Sequence, residues 1–207
     1  RTFQLGGSSG AMTCYNPEDT SKSITWFTED CYRVLTDERY FWHSVSLAQL
    51  MLAKNTVFLH SSFIEYNGKA ILFTGHCGVG KSTQADFWHN ERGAEIINGD
   101  RSIVSLRNGR FFANGCFFSG SSGFCKNTTL PLHAVVLLGQ AERNIAERAA
   151  GLDAFIRILN ETQLSSMDTE NVSRVTGLIE KLIAEVKIID FRCENDPNTV
   201  EYLEKYL

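Results

Sequence analysis

The chain has 207 residues, of which 43% are hydrophobic and 21% charged, as in an ordinary globular protein of one large domain or one domain with an appendage. Its net charge of −4 argues against nucleic acid as the main partner, because proteins that bind phosphate backbones normally carry a clustered basic face. No apolar stretch reaches the ~20 residues that cross a bilayer, so we expect no membrane partner.

Residues 1–36 show no clear periodicity, and the glycines and serines at positions 6–10 favour a flexible loop. We therefore separate an N-terminal segment over 1–36, interpreted as the remnant of a substrate or accessory region, from one domain over 37–207. The six cysteines are scattered without a C-x-x-C pair. This predicts reduced thiols in a cytoplasmic protein.

The first regular elements lead to a glycine-rich segment. Apolar residues at helical spacing predict an amphipathic helix over 37–54. Two strands are predicted over 57–66 and 70–74, joined by Asn67 and Gly68, which are residue types typical of a two-residue hairpin turn. The hairpin delivers the chain to Gly75.

The rest of the chain is predicted to contain both helices and strands. We predict helices over 81–92, 152–160 and 168–184, strands over 94–98, 102–106, 110–113, 132–138 and 186–191, and a last helix with Asp196 as N-cap and Pro197 at its first position. The polar stretch 140–148 carries Arg143 and Arg148 and is interpreted as a solvated face. The order predicts an α/β fold with a mixed sheet and flanking helices.

The segment 75–82, G-H-C-G-V-G-K-S, matches the phosphate-loop pattern G-x-x-x-x-G-K-[ST]. Its glycines allow several backbone N–H groups to point at one phosphate, next to the positive end of the following helix. Lys81 would reach the β- and γ-phosphates, and the Ser82 hydroxyl would ligate Mg²⁺. The alternative is a glycine-rich turn that only connects a strand to a helix. The predicted nucleotide-binding residues are Gly75, His76, Cys77, Gly78, Val79, Gly80, Lys81, Ser82 and Thr83.

An enzyme with a P-loop needs a carboxylate at the end of a neighbouring strand, where it holds Mg²⁺ directly or through water. Asp100 follows the apolar pair Ile96 and Ile97 and is the candidate for this position. Asn98 and Gly99 before it are turn residues, so the alternative is that Asp100 caps a turn.

Three stretches together resemble the catalytic domain of bacterial HPr kinase/phosphorylase: residues 58–74, the P-loop and residues 93–100. The resemblance covers about 57–103 well and continues more loosely to 138. ATP-dependent phosphoenolpyruvate carboxykinase is a more distant relative with a similar nucleotide core. The resemblance implies a mixed sheet with a P-loop and flanking helices, and a kinase domain over 37–207.

A histidine stands on the strand upstream of the P-loop in HPr kinases, and His60 lies at the matching position. The resemblance implies that His60 orients the acceptor or the Asp100 carboxylate. The alternative is a histidine that packs within the sheet. The predicted catalytic residues are Asp100, His60 and Lys81, and the predicted metal ligands are Ser82 and Asp100.

The chain departs from both families after this strand. HPr kinases and the carboxykinases carry two adjacent acids there, whereas Asp100 is followed by Arg101. The missing carboxylate puts the reverse, phosphorolytic reaction in doubt, along with HPr itself as the acceptor. The metal-binding lysine and histidine of the carboxykinases are not found, which argues against oxaloacetate decarboxylation.

A loop over 115–127 combines glycines, hydroxyls and one lysine, and it would close over the phosphates or hold an acceptor. A plain mobile surface loop is the alternative. The candidate substrate-binding residues are Ser119, Ser121, Ser122 and Lys126.

The sequence therefore predicts a kinase that uses Mg²⁺ and ATP and transfers the γ-phosphoryl group to a serine-like hydroxyl of a peptide, protein or small molecule. The alternatives are a non-catalytic ATP-sensing module and a carboxykinase-like enzyme. The acceptor, reverse phosphorolysis, the preference for ATP over GTP, the role of residues 1–36 and the oligomeric state, with a homo-oligomer among the options, stay open.

Overall fold

A computed structural model describes residues 4–6, 11–16, 19–29, 41–42, 45–120, 122–163 and 169–207. The chain divides into two compact units, one of Arg1–Val57 with Leu164–Val175 and one of Phe58–Gln163 with Thr176–Leu207. The domain boundary predicted between residues 36 and 37 lies outside the described residues. Within the described ranges, no helix has both the length and the apolar character needed to cross a membrane.

The first unit contains a small antiparallel sheet in the order β1-β2-β3. Its strands are β1 (Gln4–Gly6), β2 (Ala11–Asn16) and β3 (Asp19–Phe27), none of which the sequence analysis predicted. The helix predicted over 37–54 is interrupted where it is described: residues 41 and 42 are helical, and after a turn α1 covers Leu47–Leu52. Ser46 precedes it with a φ of 55°, a left-handed conformation that a continuous helix does not contain.

The remaining described elements are eight strands and four helices. The strands are β4 (Thr56–Tyr66), β5 (Lys69–Thr74), β6 (Glu95–Asn98), β7 (Arg101–Arg107), β8 (Arg110–Gly115), β9 (Thr129–Gln140), β10 (Ile145–Arg148) and β11 (Lys187–Cys193). The helices are α2 (Lys81–Arg92), α3 (Gly151–Glu161), α4 (Thr169–Glu185) and α5 (Thr199–Glu204).

The strands β4 to β11 form an eight-stranded mixed sheet in the order β10-β11-β9-β5-β4-β7-β8, with β6 paired to β4. The central strands β5, β9 and β11 are parallel, and β4 is antiparallel to β5. The predicted mixed α/β fold with flanking helices is confirmed. Strand β8 also pairs with β9, which follows it in the sequence.

Both predicted hairpins are present. Asn67 and Gly68 have φ values of 53° and 73°, and Asn108 and Gly109 have values of 50° and 72°. Positive φ at both central residues is the conformation of the tight hairpin turn that asparagine and glycine favour. The turns join β4 to β5 and β7 to β8.

One buried cluster joins the sheet to helices α2 and α5. Trp88 of α2 is fully buried. Its ring contacts the Tyr66 ring edge-on and the Phe73 ring at a tilted angle. Burial of such side chains contributes about 1.5–3 kcal/mol each. The largest buried members of the cluster are Trp88, Phe73, Phe191, Ile64, Ile71, Ile96, Leu138, Ile189 and Leu203.

Two predictions near the end of the chain need correction. Asp196 is not the N-cap of the last helix and Pro197 is not its first residue, because α5 begins at Thr199. The Thr199 backbone N–H donates to the Asp196 carbonyl, and the Asp196 carboxylate accepts from Asn198 N–H and closes a turn. The polar stretch 140–148 is not only a solvated face, since its residues Ile145–Arg148 form β10 and pair with β11.

Candidate functional site

The carboxyl ends of several strands meet at one edge of the large sheet. The segment after β5 begins at Gly75, and Asp100 comes two residues after the end of β6. Strand β4 runs the opposite way, and Ser61 pairs with Thr74, the last residue of β5. The adjacent His60 therefore lies beside the start of the glycine loop, which we define as residues 75–80.

The glycine loop depends on three glycines with positive φ: 145° at Gly75, 80° at Gly78 and 112° at Gly80. Residues with a Cβ atom rarely adopt these conformations. At Gly75 a Cβ would also lie 3.2 Å from the Leu138 carbonyl oxygen of β9. The loop thus follows a tight path from β5 into α2.

Lys81 is the first residue of α2 and is buried. Its Nζ donates hydrogen bonds to the carbonyl oxygens of Gly75, at 2.7 Å, and His76, at 3.1 Å. Burial lowers the pKa of its amine, and the acidic groups of Glu161, Cys77 and Asp100 oppose this lowering. The two hydrogen bonds therefore hold the Lys81 ammonium against the backbone of the glycine loop.

The other predicted nucleotide-binding residues follow the same loop and helix. His76, Cys77 and Gly78 are exposed, whereas Val79 is buried. Gly80 and Thr83 are half-buried, and Ser82 is exposed in the first turn of α2.

His60 is the centre of the polar cluster at this edge. Its carbonyl oxygen accepts a hydrogen bond from the Thr74 hydroxyl at 2.8 Å. Its ring Nδ1 lies 2.9 Å from Glu161 Oε2, and its Nε2 lies 3.9 Å from Asp100 Oδ1. The side chain is 33% exposed, so the ring is neither fully packed within the sheet nor free in solvent.

Glu161 is the acidic residue that sequence reasoning missed. It ends α3, and the chain after it is held to β4 by a bridge between Thr162 and Leu59 and by a 2.9 Å hydrogen bond from Gln163 N–H to the Phe58 carbonyl. Glu161 and His60 are 101 residues apart in the chain, so no local sequence motif contains both residues. Only the docking of α3 against β4 brings the two side chains together.

Asn98 organises the turn that carries Asp100. Its Oδ1 accepts from the backbone N–H groups of Asp100 and Arg101, both at 2.9 Å. The cap of this turn is therefore the Asn98 side chain. The Asp100 carboxylate instead faces His60 and Arg101, whose Nε lies 3.6 Å from Asp100 Oδ2. A backbone hydrogen bond of 3.1 Å from Ser61 N–H to the Asp100 carbonyl also ties the turn to β4.

Arg101 occupies the position after Asp100, and its side chain contacts three neighbours in the described part of the chain. Its Nη1 donates to Gln163 Oε1 at 2.6 Å, its guanidinium lies 5.3 Å from the centre of the Phe118 ring, and its Nε faces Asp100. These contacts hold one cation beside the Asp100 carboxylate.

The loop over 115–127 packs against this turn. A Cβ on Gly120 would lie 2.8 Å from Asp100 Cβ, and one on Gly99 would lie 2.2 Å from Ser122 Oγ. The predicted substrate-binding residues differ in whether they lie at this turn. Ser122 lies at the turn and donates to the Ser119 carbonyl at 2.7 Å, whereas the Lys126 ammonium pairs with Glu95, and both of these side chains are exposed. Ser121 lies outside the described residues.

Magnesium would have to use few protein ligands here. The described part of the chain contains no group of three or more His, Cys, Asp or Glu side chains placed to hold a metal ion. Mg²⁺ in nucleotide sites commonly keeps several waters and takes one or two carboxylates together with substrate phosphates. The exposed Ser82 hydroxyl and the partly exposed Asp100 carboxylate fit that donor set.

Comparison with known proteins gives a distant likeness in fold. No protein-family model matches the chain, and no curated protein sequence matches it. Among solved structures, the HPr(Ser) kinase/phosphatase from Coxiella burnetii is similar with a TM-score of 0.43 and 14% sequence identity, over 72% of this chain and 94% of that chain. At this level the likeness concerns the fold alone, and no residue role is transferred from it.

Proposed function

We propose that the chain is an ATP-dependent kinase that transfers the γ-phosphoryl group to a serine-like hydroxyl of a peptide, protein or small molecule. The observation that carries the proposal is the meeting of four features at one sheet edge. These are the glycine loop, Lys81 at the start of α2, Asp100 and His60.

The loop and Lys81 form the phosphate-binding part of the proposed site. The N–H groups of the loop lie before a twelve-residue helix, and the amino end of a helix favours anions. Lys81 now donates to two carbonyls of the loop. In the proposed complex its ammonium exchanges these carbonyls for the β- and γ-phosphates, which are stronger acceptors.

Asp100 and His60 form the acceptor part of the proposed site. Ser82 and Asp100 would hold Mg²⁺, and a bound Mg²⁺ would neutralise charge on the phosphate oxygens. The acceptor hydroxyl would lie beside His60 Nε2 and Asp100 Oδ1, which are 3.9 Å apart. An oxygen to one side of this pair can be within hydrogen-bond distance of both atoms.

Incubation of the protein with labelled Mg·ATP and a fractionated lysate tests the proposal. A species phosphorylated on a hydroxyl should form with the wild type and with Lys69→Ala, which changes an exposed lysine in the β4–β5 hairpin. It should not form with Lys81→Ala or Asp100→Asn. ATP binding without any phosphorylated product would overturn the kinase assignment.

A non-catalytic ATP-sensing module is the second candidate, and one observation favours it. Arg101 Nε lies 3.6 Å from Asp100 Oδ2, so one oxygen of this carboxylate already faces a cation of the chain itself. A sensor should bind Mg·ATP tightly and leave it intact with every acceptor. Consumption of ATP that depends on oxaloacetate would instead identify a carboxykinase-like enzyme.

A further inference from the structure

The contacts of Glu161 point to a role in the proposed site that no sequence motif indicates. We propose that Glu161 is a positioning residue, which holds His60 with its proton on Nδ1 and so leaves Nε2 to accept the proton of the acceptor hydroxyl. The proton-acceptor role rests on the proposed kinase function, whereas the effect of Glu161 on His60 can be measured in the protein alone.

The first argument is the chemistry of the two ring nitrogens. An ionised carboxylate only accepts hydrogen bonds, so at 2.9 Å from Glu161 Oε2 the His60 Nδ1 must be the donor. A neutral imidazole has one N–H, and a proton on Nδ1 leaves a lone pair on Nε2. The 3.9 Å from Nε2 to Asp100 Oδ1 is too long for a direct hydrogen bond.

The second argument is that both partners are fixed from their own elements. Thr74 Oγ1 and the strand pairing of Ser61 hold the His60 backbone. The hydrogen bond from Gln163 to Phe58 holds the end of α3. Glu161 is only 15% exposed, and a carboxylate withdrawn from water needs a hydrogen-bond partner. The pair therefore differs from an exposed ion pair between long, mobile side chains.

The chemical consequence is a separation of roles between His60 and Asp100. In the proposed step the acceptor oxygen bonds to the γ-phosphorus and its proton passes to His60 Nε2. The bond from the γ-phosphorus to the β–γ bridging oxygen breaks, and ADP leaves with that electron pair. The imidazolium formed lies between the carboxylates of Glu161 and Asp100, which stabilise its charge, and Asp100 stays available to the metal.

The first experiment reads the His60 tautomer in the protein alone. The ¹⁵N spectrum of the imidazoles is recorded under conditions where they are neutral, and the His60 signals are assigned by their loss in His60→Gln. We expect the proton on Nδ1 in the wild type and a shift of population to Nε2 in Glu161→Met, which has similar length but accepts no strong hydrogen bond. Glu147→Met is the matched control, because Glu147 forms an exposed pair with Arg192. A proton on Nε2 in the wild type, or an unchanged tautomer in Glu161→Met, would overturn the proposal.

The second experiment measures turnover of Mg·ATP with water as the acceptor. Glu161→Met should lower kcat roughly tenfold or more with little change in KM, and Glu161→Asp should recover part of the loss. The double variant with His60→Ala should be no slower than His60→Ala alone, because Glu161 acts through His60. Additive losses, or a change confined to KM, would contradict this role. If the wild type neither turns over ATP with water nor forms a phosphorylated product with the lysate, the kinase function and the proton-acceptor role both fail, while the tautomer still decides what Glu161 does to His60.

Discussion

Asn98 holds Asp100 through a 2.9 Å hydrogen bond from the Asp100 backbone N–H to the Asn98 side-chain oxygen. The same fully buried side chain donates to the carbonyls of Cys116, at 2.6 Å, and Phe118, at 2.9 Å. One amide group therefore connects the turn that presents Asp100 to the start of the loop that packs on it. Both ends of this amide are needed, because one accepts and the other donates.

Replacement of Asn98 should therefore damage the fold and the site together. Asn98→Ala removes the partner of the Asp100 and Arg101 N–H groups and of the Phe118 carbonyl, whereas the Cys116 carbonyl keeps the Cys125 thiol as a donor, so we expect a loss of about 2–4 kcal/mol in the free energy of unfolding. Chemical denaturation measures this loss. The exposed Asn90→Ala on α2 is the control and should change stability little. A loss for Asn98→Ala as small as the control's would show that the network contributes little.

Alanine substitutions at two glycines of the loop over 115–127 distinguish the effect of backbone strain from the effect of contact with Asp100. Gly120 and Gly123 have φ values of 56° and 73°, but only a Cβ at Gly120 meets Asp100, whereas one at Gly123 meets nothing within 4 Å. An alanine at either position should cost about 1–2 kcal/mol in backbone strain. Gly120→Ala should also displace the Asp100 carboxylate and slow phosphoryl transfer by roughly 100-fold.

Gly123→Ala should keep most of the transfer rate, and both variants should keep their affinity for ATP measured without Mg²⁺, because the glycine loop and Lys81 are unchanged. Thermal unfolding, nucleotide titration and the transfer assay measure the three quantities. Equal losses of rate in the two variants would mean that strain in the loop, and not contact with Asp100, limits the reaction.

Nucleotide affinity should depend on pH through Lys81. Burial lowers the pKa of this amine, so it loses its charge at a lower pH than an exposed lysine. Affinity for Mg·ATP should therefore fall as pH rises through that lowered pKa, because the ammonium is the form that binds phosphate. The sign for folding is opposite: the burial penalty applies to the charged amine and disappears as pH rises from the folded to the unfolded pKa, so stability rises.

Lys81→Arg is the control for this pH dependence, because a guanidinium stays protonated throughout the range. Its affinity should be nearly independent of pH, whatever its absolute value. Calorimetric titrations across the alkaline range compare the two proteins. A parallel fall in both would assign the pH dependence to a group other than Lys81.

Thiol labelling should distinguish the described cysteines by burial. Burial raises the pKa of Cys116 and of Cys193 to about 11, whereas Cys77 and Cys125 are exposed. Since the thiolate is the reactive form, iodoacetamide near pH 8 should modify Cys77 and Cys125 well before the two buried thiols. Peptide mass spectrometry measures the order.

The same labelling tests the glycine loop. Mg·ATP should protect Cys77, which lies in the loop, and should leave Cys125 as reactive as before. Protection of neither cysteine at a saturating nucleotide concentration would argue against binding at this loop.

Much of the large sheet follows from local patterns. The Asn-Gly pairs at 67–68 and 108–109 adopt the turns expected of them, since few other residues tolerate two successive positive φ values. The phosphate-loop pattern lies between a strand and a helix as predicted, because its glycines and the flanking periodicity are local signals. The role of the loop in nucleotide binding stays a prediction.

Four strands were not predicted because their sequences have a weak or polar pattern. Strands β1 to β3 lie in a segment without a clear apolar alternation, and β10 is an edge strand with polar residues. Strands of this kind are stabilised by pairing with neighbours more than by their own composition. The start of α5 was misplaced because Asp196 satisfies a turn and not a helix end.

The sequence by itself indicated the glycine loop, Lys81 and Asp100, because each lies in or next to a segment with its own local pattern, and it indicated His60 through the resemblance to HPr kinases. Tertiary structure alone decided that Glu161 meets His60, that Asn98 carries Asp100, and that Lys126 pairs with Glu95. The first and last of these contacts join residues distant in the chain, and their geometry depends on how helices and loops pack on the sheet. Such packing is a property of the whole fold, so no window of sequence around Glu161 contains it.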